Sequence, residues 1–190
     1  VTGTGGEVFS NVALRKITDD EIKSFDRICR GLDWGYGPDP FVYVALHYDK
    51  KRSRILIYHE FYKFRAKFDE IAAQIKVENK LYEPVTAESA EPRSNDELKD
   101  RGIRITAAKK GPGSVEHGIS WLQNLTEIVI DPERCPEAAR EFTGYELDRD
   151  REGNFKSGFP DRDNHTIDAV RYACEKYSRV NNWGFGSGKI

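Results

Sequence analysis

Residues 41–48 (FVYVALHY) and 54–62 (RILIYHEFY) are dense in β-branched and aromatic side chains and are joined by the short polar run DKKRS. Two such runs across so short a connection can pair only as an antiparallel hairpin, because parallel strands need a crossover of about a dozen residues or more. Upstream, the stretch from Ile28 is also extended and ends in GLDWGYGPDP, whose glycines and two prolines stop the strand and force a turn. The three strands therefore form a meander.

Around the meander, helical and extended patterns alternate. Thr18 caps a short helix that Glu21 answers three residues on, with Ile22 and Phe25 as its apolar face. Residues 65–80 put Phe68, Ile71, Ala72 and Ile75 on one helical face. EPVTAE reads as a strand, SNDELKDRG as a capped helix ending at Gly102, and IRITAA as another strand. GPGSVEHGISWLQNL is a helix with Val115, Ile119 and Leu122 inward, followed by the strand EIVIDP and the helix CPEAAREFTGY. Residues 145–158 make a charged hairpin turning at Glu152-Gly153 or Gly153-Asn154, and a closing helix runs from Asn164 to about Val180. The expected fold class is α/β: a mixed sheet, the antiparallel meander plus parallel strands, with helices on both faces. Residues 1–17 read as a glycine-rich linker, 18–180 as the domain and 181–190 as a loose tail.

A chain of 190 residues is sized for one domain with one good core. With 38% hydrophobic and 33% charged residues, it has no apolar run near the ~20 that a membrane span needs, and nothing in its first residues reads as an export signal. Cys29, Cys135 and Cys174 lack the paired spacing of zinc or redox motifs and read as reduced thiols of a cytoplasmic protein. A net charge of -2 advertises no basic field for nucleic acid, although an enzyme that works on DNA through cations keeps acids in its site.

Acids do occur at the ends of elements. Asp33 closes the first strand of the meander, Glu88 follows the strand EPVTAE, and His165 and Asp168 lie three apart in the first turns of the last helix, about 60° from each other around its axis. If the strands ending in Asp33 and Glu88 are neighbours and the helix crosses them, three carboxylates meet, and such a group repels itself unless cations lie between its members. Hard oxygen ligands select Mg²⁺ or Mn²⁺, and an imidazole tilts the choice toward Mn²⁺. Each residue also has a plainer reading: Asp33 as a turn former, as Asp39 is in PDP; Glu88 as a solvated strand end; Asp168 as a partner of Arg171 or of another base on a neighbouring element; His165 as an aid to capping.

GLDWGYGPDP, TAESAEPRSNDEL, GPGSVEHGISWLQ and DNHTIDAVRYA, in this order, resemble the C-terminal nuclease domain of the tailed-bacteriophage terminase large subunit. The resemblance implies an RNase H-like fold and a metal-dependent endonuclease that cuts concatemeric phage DNA, following an N-terminal ATPase domain in the full-length chain. It also implies the small terminase subunit and portal as partners, and the infected host's cytoplasm as the place of action. By position, Asp33, Glu88 and Asp168 match the family's acids and His165 its histidine near the metals. Asp33 is then shared by two divalent cations, with Glu88 and Asp168 holding one each. Glu88 is a methylene longer than the usual Asp, and Glu91 is its rival for the role.

Basic residues for double-stranded DNA are expected at Lys109 and Lys110 and, in the late hairpin, at Arg149, Arg151 and Lys156; Lys50, Lys51 and Arg52 read as a solvated turn. Nothing resembles a base-reading helix, so little sequence preference is expected. The tail GFGSGKI fails the phosphate-loop pattern, with one residue too few between Gly184 and Gly188 and Ile190 in place of Ser or Thr. Other RNase H-like phosphoryl transferases (transposase, resolvase, hybrid nuclease) and a non-catalytic docking module are the alternatives.

Overall fold

The structure, a computed structural model, describes residues 5–35, 37–109 and 111–179. Its elements run β1 (Val12–Leu14), α1 (Asp19–Lys23), β2 (Ile28–Asp33), β3 (Pro40–Asp49), β4 (Arg54–Phe64), α2 (Phe68–Glu78), β5 (Val85–Ala87), α3 (Pro92–Asp100), β6 (Ile105–Ala107), α4 (Ser114–Gln123), β7 (Glu127–Ile130), α5 (Pro136–Gly144), α6 (His165–Ala173) and α7 (Glu175–Ser178). Seven strands form one sheet in the order β1-β7-β4-β3-β2-β5-β6. The meander β2-β3-β4 is antiparallel, while β5 and β6 extend it on one side and β7 and β1 on the other, each by parallel pairing. This is the mixed sheet expected from the sequence.

Alternation along the strands divides the core. On one face Val42, Val44, Leu46, Ile55, Ile57, Ile128 and Ile130 pack with residues of α4, α5 and α6. On the other, Leu32, Phe41, Tyr43, Val85 and Ala87 pack with α2 and α3, and Ala45, Leu56, Tyr58 and Val129 with Ile17 and the α1 region. Cys29, Cys135 and Cys174 are all buried and unbridged. Among the described residues no helix is long and apolar enough to cross a membrane.

Two features fix β2, the strand that delivers Asp33. Arg30, on its α2 side, is buried and donates from Nε and Nη2 to the two carboxylate oxygens of Glu78 at 2.7 and 3.0 Å. Glu78 also accepts from the hydroxyls of Tyr43 and Tyr58, so the end of α2 is tied to all three meander strands. A buried ion pair broken on one side costs several kcal/mol, which holds the register against slippage. On the opposite side, Gly31 lies under α6. A Cβ there would stand 2.0 Å from the Ala169 carbonyl oxygen and 2.6 Å from the Ala173 nitrogen, so only glycine lets the helix backbone rest directly on the strand.

In β4 a bulge opposite Ala45 and Leu46 shifts the register: Ala45 pairs with His59 and Leu46 with Ile57. The extra residue reverses which side chains face which side, so Glu60 and Tyr62, opposite Val44 and Val42, look toward α5 and α6.

Several expectations need correction. Residues 5–17 are no spacer: Val8 and Phe9 are buried and β1 pairs with β7, because a three-residue edge strand suffices once Asn11 Nδ2 donates to the carbonyls of Leu122 and Leu125. Residues 1–4 lie outside the described residues. Glu21 pairs with Arg15 at 2.8 Å instead of completing a capping box, although Thr18 does cap α1. The helix α3 begins at Pro92, a residue suited to a first turn where its missing N–H is not needed. Val115 is 40% exposed, since it projects from the open first turn of α4, while Ile119 and Leu122 are buried as expected. The closing helix is interrupted at Cys174, where ψ is -1°, and continues as α7. The tail expected at 181–190, like Val180, lies outside the described residues.

Gly31→Ala is expected to lower the unfolding free energy by about 3 kcal/mol in urea titration, because two backbones would have to separate. Gly144→Ala, with nothing within 4 Å of its Cβ, is expected to be neutral or to stabilise by about 0.5 kcal/mol.

Candidate functional site

Residues 29, 31 and 33 of β2 share one face, so the glycine that admits α6 also aims Asp33 toward the start of that helix. β5 lies parallel beside β2, with Leu32 opposite Ala87, and the Glu88 N–H donates to the Leu32 carbonyl at 3.2 Å. Asp33 and Glu88 thus leave adjacent strand ends. Asn95 of α3, itself buried, braces both: it accepts from Trp34 Nε1 at 2.8 Å and donates to the Glu88 carbonyl at 2.9 Å.

From α6, His165 Nδ1 stands 3.3 Å from Asp33 Oδ2, and its Nε2 lies 3.7 Å from Asp39 Oδ1. Asp39 therefore does more than shape the PDP turn. Gly35 makes that turn possible, since a Cβ there would be 2.3 Å from the Asp39 carbonyl oxygen. Asp168, one turn on, receives Arg171 Nε at 3.0 Å and Nη2 at 2.9 Å, both on Oδ1. Arg171 is buried along Gly118 of α4, whose missing side chain gives the guanidinium stem room. Glu88, Lys109, Gly118, Asp168, Arg171 and Tyr172 share the wall of one cavity of about 610 Å³.

Electrostatics bind the group together. Asp33, 7% exposed, is pushed up to about 7, first by burial and then by the charges of Asp168 and Glu88, against the opposing hydrogen bond of His165. Burial also raises Asp168, with Arg171 opposing. His165 is raised by its hydrogen bond to Asp33, with burial opposing. The pair Asp33–His165 therefore retains protons near neutrality, and the three acids sit in one mutually repelling field. Among the described residues no three His, Cys, Asp or Glu side chains are already closed around a single point in a manner that would hold a metal ion. The Arg171 clamp on Asp168 and the His165 contact to Asp33 occupy those carboxylates instead.

Over residues 33–176 the sequence matches the family model described as Terminase RNAseH like domain. The chain belongs to that family. It is 44% identical over 189 residues to the terminase large subunit of Bacillus phage SPP1, covering 96% of this chain and 45% of the relative. It is 26% identical over 147 residues to the PBSX phage terminase large subunit of Bacillus subtilis (strain 168), covering 77% of this chain and 34% of that protein. The chain thus spans less than half the length of these curated relatives. Among solved structures, it is similar to the large-terminase nuclease domain of bacteriophage SPP1 with bound Mn, at 45% identity and a TM-score of 0.84, covering 89% of this chain and 98% of that one. The P22 large terminase nuclease domain shares the fold at 20% identity and a TM-score of 0.63, covering 90% and 93% of the two chains. The large-terminase nuclease of thermophilic phage G20c with bound magnesium shares it at 18% and 0.62, covering 92% and 99%.

Of the residues named from sequence, Asp33, His165, Asp168 and Glu88 come to one end of the sheet. Glu91 instead sits at the N-cap of α3 and is absent from the cavity wall. Lys109 lines the cavity, its N–H donating to Glu175 Oε1 at 2.7 Å, while Lys110 lies outside the described residues. In the late hairpin Arg149 stacks on Phe155 at 4.0 Å and donates to the Gly153 carbonyl, and Arg151 and Lys156 are exposed. The hairpin has only one bridge, Arg149 to Phe155, with Gly153 in the left-handed region at its turn. The sequence reading missed Asn95 and Asp39, and gave Arg171 only as a plain partner; the three-residue spacing of Asp168 and Arg171 was the available signal.

In the unfolded chain Asp33 ionises near 4, whereas in the fold its proton stays to about 7. The folded state therefore loses stability as pH climbs between those values and keeps the deficit above them. Asp33→Asn in buffer free of divalent cations is expected to be about 1 to 3 kcal/mol more stable than the parent at pH 8 by urea titration, with the gap closing toward pH 4.

Proposed function

We propose that this chain is the metal-dependent endonuclease module of a phage terminase large subunit, hydrolysing phosphodiester bonds of concatemeric double-stranded DNA with little sequence preference. The observation that carries the reading is the shared field of Asp33, Glu88 and Asp168, in which burial and neighbouring charge hold the Asp33 carboxyl near 7. Divalent cations relieve such a field, and an all-carboxylate set with one imidazole suits Mn²⁺ or Mg²⁺. The Mn in the SPP1 domain, 45% identical over nearly its whole length, supports this.

Asp33, Glu88 and Asp168 would hold two such ions, with His165 beside Asp33. When bound, the ions stabilise charge on the attacking and leaving oxygens of an in-line displacement at phosphorus. The chain's own contributions are separate. Asp33 must give up its proton before it can ligate. His165, between Asp33 and Asp39, is placed to take that proton or pass it on. Arg171 fixes Oδ1 of Asp168 and leaves Oδ2 outside the ion pair. Lys109 beside the cavity, with Lys110, Arg149, Arg151 and Lys156, would contact DNA phosphates without reading bases. An ATPase domain in the same full-length chain, the small terminase subunit and the portal complete the assembly in this reading, within the infected host cell.

Asp33→Asn and Asp168→Asn are each expected to reduce nicking of supercoiled plasmid in Mn²⁺ by about 10³-fold or more while leaving circular dichroism unchanged; full activity in either removes that residue from the site. In the same assay, faster cleavage of an RNA:DNA hybrid or a four-way junction than of plasmid would move the chain to another branch of RNase H-like enzymes. Mn²⁺ uptake, measured by calorimetry in two buffers of different ionisation enthalpy, is expected to be weaker at pH 6 than at pH 8 and to release protons, since Asp33 holds its proton up to about 7 and its hydrogen bond raises His165 as well.

A further inference from the structure

The N-terminus of α6 has no cap of its own: Asn164 occupies the N-cap position without a side-chain hydrogen bond. Its exposed donors are met from another helix. Glu141 of α5, 2% exposed, accepts from the Thr166 N–H at 2.6 Å and from the Thr166 hydroxyl at 2.5 Å, both on Oε2. Its Oε1 is buried with no hydrogen-bond partner, and the Arg140 guanidinium stands 3.6 Å away. A carboxylate at the positive end of a helix is favoured, yet one buried with an unsatisfied oxygen is costly. The site thus retains an expensive group next to the residue that carries its imidazole.

α5 is itself held in the same way. Glu60 of β4 accepts from the Glu137 N–H at 2.9 Å and the Ala138 N–H at 2.8 Å, one on each oxygen. A chain of two carboxylate caps therefore runs from the sheet to α5 and from α5 to α6. Neither side chain touches the acids at the strand ends.

We infer that Glu141 is a positioning residue for cleavage: by holding Thr166 it sets the azimuth and height of α6, and so places His165 and Asp168 against Asp33, with Glu60 as the anchor of that brace. This rests on the metal-site reading above. Hydrogen-bonding groups behind ligands commonly change metal affinity 10- to 100-fold when removed.

The test compares the chain with Glu141→Ala, Glu141→Gln and Thr166→Val, using Mn²⁺ calorimetry together with metal-free amide hydrogen exchange at residues 165–169. Glu141→Ala is expected to bind Mn²⁺ about tenfold more weakly and to exchange faster in the first turn of α6. Glu141→Gln, whose amide oxygen still accepts from Thr166, is expected to stay within about threefold of the parent. Thr166→Val keeps the backbone bond and loses the hydroxyl; it is expected to fall between, and it decides the matter if the alanine variant does not fold. Parent-like Mn²⁺ affinity in both Glu141→Ala and Thr166→Val, or faster exchange without loss of affinity, overturns the positioning role. A parent chain that takes up no Mn²⁺ overturns the metal site itself, and the exchange data then show whether the brace nonetheless orders α6.

Discussion

Helix α6 lies on β2 at backbone distance, and this one approach determines what else the molecule can do. Ordinary packing of a helix on a sheet leaves about 10 Å between layers, filled by side chains. At Gly31 that filling is absent, and Ala169 and Ala173 of the helix meet the strand directly. Two residues along, Asp33 emerges where the first turn of α6 begins, so the carboxylate and His165 are within 3.3 Å without long side chains reaching for each other. Short, buried side chains have few rotamers, which keeps a repelling group of acids in place when no cation is present.

The close approach has to be held against that repulsion, and the opposing forces lie on both faces. Beneath the sheet, Arg30 and Glu78 with Tyr43 and Tyr58 lock β2 to α2 and the meander. Above it, Glu60 and Glu141 pass the position of the sheet through α5 to α6. Arg171 supplies a positive charge to Asp168 from within the same helix, its stem laid in the groove left by Gly118. The fold thus places its fixed positive charge at the edge of the acid group and keeps the centre anionic, a distribution that attracts cations.

Much of this was legible in the residues. The meander, its extension by parallel strands, the helix face of α2, and the strand-end positions of Asp33 and Glu88 follow from period-two and period-3.6 patterns and from glycine and proline. What was not legible depends on contacts between distant segments. β1 carries only Val12, Ala13 and Leu14 and has no pattern of its own; its strand state comes from pairing with β7. Glu141 falls among Ala138 and Phe142 on the apolar face of α5, a charge where periodicity asks for none, but nothing local says that its partner is Thr166. The same holds for Asn95, whose bonds reach Trp34 and the Glu88 backbone across elements.

The bulge in β4 has a consequence of a different kind. Before it, odd-numbered side chains of the strand face α4, α5 and α6; after it, even-numbered ones do. Losing one residue at 58 or 59 would only make the ladder regular: Ile57 would still oppose Leu46 and Glu60 would still oppose Val44, so Glu60 and Tyr62 keep their face and α5 keeps its anchor. A single loss among residues 55–57 has no spare residue to draw on and would turn part of the strand to the wrong face, so two neighbouring stretches of one hairpin differ sharply in how well they absorb a deletion.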